Sequence, residues 1–251
     1  MNNREFLIIF LLGVLMAGCH RSEEFVTAGE LADYQPFQIG ASVTYRLDST
    51  VYLSNQTLKT IRTRFIRLHT DAMVTDGEGR TAYRIIRSIR DPLDSNRWIP
   101  DLTCLAIPGK QAMEWIEQNQ RFILMTTPIR ENLSWRGNRF INTVSDPLRQ
   151  YLDGWDYTWK SVGMPFTTGN MIFPNTVTVD QRNDSVNDGR DKSRYFSKDI
   201  ARDIYARGIG LVYRERLHEI WQPPNASSAT GYYEPASHGI RMTYLSHRVS
   251  P

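Results

Sequence analysis

The sequence is short of several things at once. It holds only two cysteines, Cys19 and Cys104, and five histidines in 251 residues. Its 30 basic and 27 acidic residues nearly cancel, leaving a formal charge of +3 with no basic block. Its strongest apolar run, residues 6–16, is too short to cross a bilayer as a helix. Eleven helical residues rise about 16 Å against a hydrocarbon core of about 30 Å. These absences exclude a disulfide framework, a nucleic-acid footprint and a stable transmembrane helix. Also missing are a Gly-x-Ser-x-Gly elbow, a phosphate-cradling glycine loop, a CxxC pair and a dinucleotide fingerprint. A composition of 41% hydrophobic, 11% aromatic and 23% charged residues suffices for a globular core. Low-complexity disorder, collagen and coiled coil are excluded.

The most informative segment is the first. Arg4 and the α-amine precede the apolar run Phe6–Met16, which has the length of a signal-peptide core. Leu15-Met16-Ala17-Gly18-Cys19 follows, and it resembles a bacterial lipobox. Small side chains at Ala17 and Gly18 give a signal peptidase access, and the Cys19 thiol takes the diacylglycerol. Met16 replaces the more usual Leu; an ordinary secretory signal with an incidental cysteine is the plainer alternative. The reading expects residues 1–18 to be a signal peptide and Cys19 to carry acyl chains. Each buried methylene then contributes about 0.8 kcal/mol to membrane anchoring. Residues 19–37 read as a tether and 38–251 as one domain. Ser22-Glu23-Glu24 resembles the acidic signal that sends some lipoproteins to the outer face of the outer membrane. It favours the cell surface over the periplasmic face. Acylation of Cys19 leaves Cys104 unpaired, and its neighbours Leu102, Leu105 and Ile107 mark it as a buried apolar residue.

From residue 40 onward the pattern is β. Val43, Tyr45 and Leu47 alternate with polar residues, as do Ile61, Thr63 and Phe65, after which Ile66 and Leu68 shift phase as a bulge would. Asp76-Gly77-Glu78-Gly79 reads as a turn, and Met113 and Trp115 pair with Phe122 and Leu124 across Glu117–Gln120. Asp146–Leu152 and Ser197–Tyr205 are the best helical candidates. Gly208 and Gly210 suit positive φ before a strong strand. Ile209, Leu211 and Tyr213 are expected on one face of that strand, with Val212 and Arg214 on the other. The fold expected is mainly β: one curved antiparallel sheet, clam-like or a half-barrel, with few short helices. A closed lipocalin-like barrel is the alternative.

Chemistry is sparse. His218-Glu219 begins like a zinc-protease helix, but Gln222 replaces the second histidine and the segment alternates like a strand. Asn183–Gly189 resembles a calcium loop only superficially, because Val186 and Tyr195 would fall at ligand positions. His20, His69, His238 and His247 show no ligand spacing. Glu114 and Glu117 could meet as a carboxylate pair. The six tryptophans suit a carbohydrate or lipid ligand if exposed, and a β core if buried.

The segments Trp115–Met125, Pro128-Ile129, Trp135-Arg-Gly-Asn138, Tyr205–Glu215 and Trp221-Gln-Pro-Pro224 are similar to those of a family of small Bacteroidota-type lipoproteins, as is Ile39–Ser49. The similarity extends over most of residues 39–248, and its motifs are structural: no catalytic residue carries over. The Gly-x-Gly strand also resembles that of periplasmic β-clam proteins, an analogy for the fold alone. The expectation is therefore an outer-membrane lipoprotein held to the membrane by acylated Cys19. It would be a non-enzymatic binding or envelope-assembly component, with an apolar or carbohydrate ligand and no cofactor, metal or nucleic acid. The alternative is an extracytoplasmic hydrolase with a dispersed site.

Overall fold

The computed structural model describes residues 29–94 and 97–249. The signal segment, Cys19 and Ser22-Glu23-Glu24 lie outside the described residues. Thirteen strands follow one another: β1 (Ser42–Leu53), β2 (Leu58–Thr75), β3 (Thr81–Arg90), β4 (Ile99–Pro108), β5 (Ala112–Glu117), β6 (Gln120–Thr126), β7 (Ser134–Trp135), β8 (Tyr157–Thr168), β9 (Met171–Val186), β10 (Phe196–Ala206), β11 (Gly210–Gln222), β12 (Tyr232–Tyr233) and β13 (His238–Arg248).

Every pairing is antiparallel, in the order β6-β5-β4-β3-β2-β1-β13-β11-β10-β9-β8-β7, with the short β12 beside β11. The two ends of that path, β6 and β7, are neighbours in sequence. Three hydrogen bonds span the seam between them. The Ile123 N–H donates to the Gly137 carbonyl at 2.7 Å. Trp135 Nε1 donates to the Ile123 carbonyl at 2.9 Å, and Trp159 Nε1 to the Thr126 carbonyl at 3.1 Å. The result is one curved sheet, nearly closed into a barrel. Both expected architectures describe parts of it, a curved meander drawn almost shut by the β1–β13 pairing.

The local chemistry of the turns explains much of this. Glu117 pairs with Gln120, and Gln118 and Asn119 between them have φ of 48° and 60°. Two such residues give a hairpin turn whose twist matches its strands. Gly208 and Gly210 have φ of +76° and +93°, as expected. Beside them Ile204 pairs with Tyr213 and Tyr205 with Leu211, so Val212 is an extra residue in a bulge.

Four expectations are corrected. Ser197–Tyr205 is not a helix but most of β10, and of Asp146–Leu152 only Gln150–Leu152 turns as a 3-10 helix. The β10 face carrying Asp199, Ala201, Asp203 and Tyr205 is largely polar, so its inward alternation is hidden from a hydrophobicity pattern. The β1–β2 register runs unbroken through Phe65 and Ile66; the irregularity in β2 falls between Thr70 and Ala72. The Val212 bulge breaks the alternation expected of β11, so Leu211 and Arg214 line the same cavity. Finally, the chain before residue 38 is not all tether. Leu31–Tyr34 forms a 3-10 turn whose Leu31 and Tyr34 are core residues, Tyr34 only 2% exposed.

Candidate functional site

The largest buried cluster joins strands from both ends of the sheet path: Cys104, Met113, Trp115 and Leu124 on one side, and Trp155, Trp159, Val177, Val179 and Tyr205 on the other. This packing does not fill the interior. Two cavities remain, and they share Trp115, Leu124 and Arg214 as walls.

The first chamber has a volume of about 110 Å³. Its walls come from β1 (Val43, Tyr45), β2 (Leu68, Thr70), β3 (Ile85), β5 (Met113) and the bulged start of β11 (Leu211). Most of this lining is hydrocarbon or aromatic, with Ser42, Thr70 and Arg214 among the polar exceptions. Gln35, Pro36 and Phe37 line one side of it, and the same three residues border a wider cleft of about 810 Å³. The segment around them is pinned at several points. Gln35 Nε2 contacts Met125 Sδ at 3.3 Å and the Gly208 N–H donates to the Asp33 carbonyl at 2.7 Å. Arg207 pairs with Asp33 at 2.9 Å, and Phe37 stacks on Tyr83 with centroids 5.4 Å apart.

The second chamber, about 200 Å³, is different in kind. Trp115, Phe122, Tyr151, Trp155 and Tyr157 supply aromatic surface, and Glu117, Gln181, Arg214, Arg216, His218 and His238 supply polar atoms. Arg214, Arg216 and His218 are alternate residues of β11, so period 2 aims all three inward. They are tolerated because they are paired. Asp203 on β10, with 0% exposure, takes a two-pronged bond from Arg214 (2.9 and 2.7 Å) and one from Arg216 at 2.8 Å. Tyr205 donates its hydroxyl to the same carboxylate at 3.1 Å. Burial opposes ionisation of Asp203, but the two guanidinium groups outweigh it and hold the carboxyl well below its ordinary range. Glu117 accepts the Trp115 Nε1 hydrogen at 3.0 Å.

At the chamber's rim His218 Nδ1 bonds Asp199 at 2.6 Å, and Tyr151 stacks on the His218 ring at 4.4 Å. The Tyr151 hydroxyl lies 3.4 Å from His238 Nε2, while His238 Nδ1 faces the Ala236 carbonyl at 2.9 Å. Desolvation lowers the His238 pKa, favouring the neutral ring with its proton on Nδ1. An oriented Asp–His pair is a component of hydrolytic sites. Among the described residues the hydrogen-bond partners of the two histidines are Asp199, Tyr151 and the Ala236 carbonyl, with no Ser, Thr or Cys.

One group in this chamber stands apart. Gln181, 2% exposed, has neither its amide oxygen nor its amide nitrogen hydrogen-bonded, and Trp155 Nε1 likewise has no partner among the described residues. Leaving a buried donor or acceptor unpaired costs about 1–3 kcal/mol. The protein carries three such atoms against one cavity.

The sequence reading singled out some of these residues and missed others. His218 and His238, far apart in the chain, are register partners with ring centroids 5.6 Å apart. Glu114 and Glu117 do not meet: Glu114 pairs with Arg80 and Arg121, while Glu117 serves the second chamber. Asn183–Val186 ends β9 and Asn187–Gly189 turns away from it. Among the described residues no cluster of three or more His, Cys, Asp or Glu could hold a metal. Trp115, Trp155, Trp159 and Trp221 are core residues, yet two of them also border the second chamber. Gln181 and Asp203 were missed, because nothing in a sequence distinguishes an inward polar residue from an outward one. Compared with known proteins, the chain matches no family model, no curated protein and no solved structure.

Proposed function

We propose that the protein is an outer-membrane lipoprotein, anchored through acylated Cys19, whose β domain binds an amphipathic small molecule inside its curved sheet. The observation that carries the binding reading is the pair of adjoining cavities, one lined mainly by aliphatic side chains and one mixing aromatic surface with polar groups, walled in common by Trp115, Leu124 and Arg214. Ligand sites are concave and mostly apolar, with a few converging polar groups. The lipobox at residues 15–19 supports the anchor, and Ser22-Glu23-Glu24 supports the cell surface over the periplasmic face. Acquiring or presenting such a molecule at the envelope is a binding or assembly role rather than catalysis. The oriented Asp199–His218 pair favours one second reading, a hydrolase with a dispersed site.

Two measurements test this. Native mass spectrometry of the purified protein should find a co-purifying small amphiphile, and the apolar dye N-phenyl-1-naphthylamine should bind and be displaced by it. The absence of both dye binding and a co-purifying molecule would overturn the binding reading. For the anchor, Cys19→Ala should abolish incorporation of a fatty-acid probe; equal labelling of both proteins would overturn it.

A further inference from the structure

Resting on the reading of the interior as a ligand site, the geometry points to an uncharged, hydroxyl-rich group, a saccharide unit, in the second chamber, with the ligand's apolar remainder in the first. Charge balance comes first. The cations Arg214 and Arg216 face the carboxylate of Asp203, with Glu117 close by on β5, and His218 faces Asp199. Asp203 is fully buried and held by four hydrogen bonds, and with Glu117 it balances the charge of the two arginines, so these four groups give neither an anion nor a cation a net attraction. The hydrogen-bonding capacity left unpartnered on its buried atoms, those of Gln181 and Trp155, is neutral.

The atoms left open define that capacity further. The amide of Gln181 offers one acceptor and two donors with no partner, and Trp155 Nε1 offers one donor. A carboxylate or phosphate accepts but does not donate, and an ammonium donates but does not accept. A hydroxyl does both, and vicinal hydroxyls present the mixed set that an amide and an indole N–H require. Tyr151, Trp155 and Tyr157 add aromatic surface against which the C–H face of a pyranose can lie. The adjoining apolar chamber then takes an alkyl chain, and the ligand class is a glycolipid-like amphiphile.

The test compares three probes with one chain length and different heads: hexyl-β-D-glucopyranoside, 1-hexanol and hexanoate. Each is titrated against the full chain in phospholipid nanodiscs, with empty nanodiscs as the blank, following heat and tryptophan fluorescence. The glucoside should bind about tenfold more tightly than either other probe, the equivalent of one or two net hydrogen bonds. Gln181→Leu should erase that advantage and leave hexanol binding unchanged. The variant removes an unpaired buried amide, so its thermal midpoint should not fall; Trp155→Phe, which keeps the ring and loses the N–H, should weaken the glucoside alone by a few-fold. Equal binding of glucoside and hexanol, or an advantage that survives in both variants, would overturn the saccharide assignment while leaving the cavity reading intact. Tightest binding by hexanoate would replace it with an anion site. If none of the three binds, the cavity reading itself fails.

Discussion

On one side of Trp115 and Arg214 the interior is walled by Val43, Leu68, Ile85, Met113 and Leu211; on the other it is walled by Gln181, Arg216, His218 and a ring of aromatics. Both chambers lie within the same sheet, yet different forces keep them open. The apolar chamber is walled by side chains of β1, β2, β3, β5 and β11, all held on one curved sheet, and by residues 35–37. The polar chamber persists because its charges are tied to one another across β10 and β11, leaving Gln181 and Trp155 nothing to collapse onto. A cavity built from ion pairs depends on each partner, whereas an apolar cavity depends on total volume. The two chambers should therefore respond differently to substitution.

The largest effect is expected at Asp203. Asp203→Ala strands Arg214 and Arg216 without their counter-ion and should reduce stability by about 3–5 kcal/mol in urea denaturation. A shift under 1 kcal/mol would show that the polar chamber does not depend on this pair. Acid titrates the same interaction. Because the folded carboxyl is held well below its ordinary value, its contribution is full above about pH 4–5. That contribution is lost progressively as pH falls from there towards the depressed folded value. Asp203→Asn should accordingly show a shallower loss of stability below pH 4 than the wild type. Parallel curves would break the assignment.

The apolar chamber should be milder. Leu211 is half-buried, so Leu211→Ala is expected to cost about 1–3 kcal/mol, below the range for a fully buried leucine. The same denaturation series should show Gln181→Leu unchanged or stabilised; a loss as large as that of Leu211→Ala would erase the distinction between the chambers. Gly210 comes next. Its φ of +93° is strained for any residue with a side chain, although an added Cβ would meet the Tyr34 carbonyl only at an ordinary 3.6 Å. Gly210→Ala should lose about 1–2 kcal/mol through backbone conformation alone. An unchanged urea midpoint would assign the segment to binding rather than to the fold.

The smallest effect is kinetic. Cys104 is 1% exposed, and burial together with nearby Glu117 pushes its thiol up to about 12. It should react with a polar thiol reagent only when the protein unfolds. Rapid labelling of the native protein would mean that the wall beside both chambers opens readily.

How far the sequence carried differs between the chambers in the same way. The apolar alternation of Val43, Tyr45 and Leu47, the Glu117–Gln120 hairpin and the Gly208–Gly210 bend were legible, because water's exclusion and glycine's freedom act locally. The buried state of Cys104 was legible from its neighbours. The strand character of Ser197–Tyr205 was not, because its inward residues include Asp199 and Asp203, and a pattern that equates polar with outward inverts there. Nor was the insertion of Tyr34 into the core from a segment that reads as tether.

By itself, then, the sequence determined an antiparallel β domain, since strand period, turn residues and positive-φ glycines are set by neighbours within a few positions. Only the tertiary structure decided that Asp203 should face Arg214 and Arg216, that His218 should meet His238, and that Gln181 should lie buried beside a cavity with its amide unpaired. Those outcomes depend on strand register and on which face closes inward. A polar side chain's energy inside a protein is fixed by partners that folding alone brings within reach.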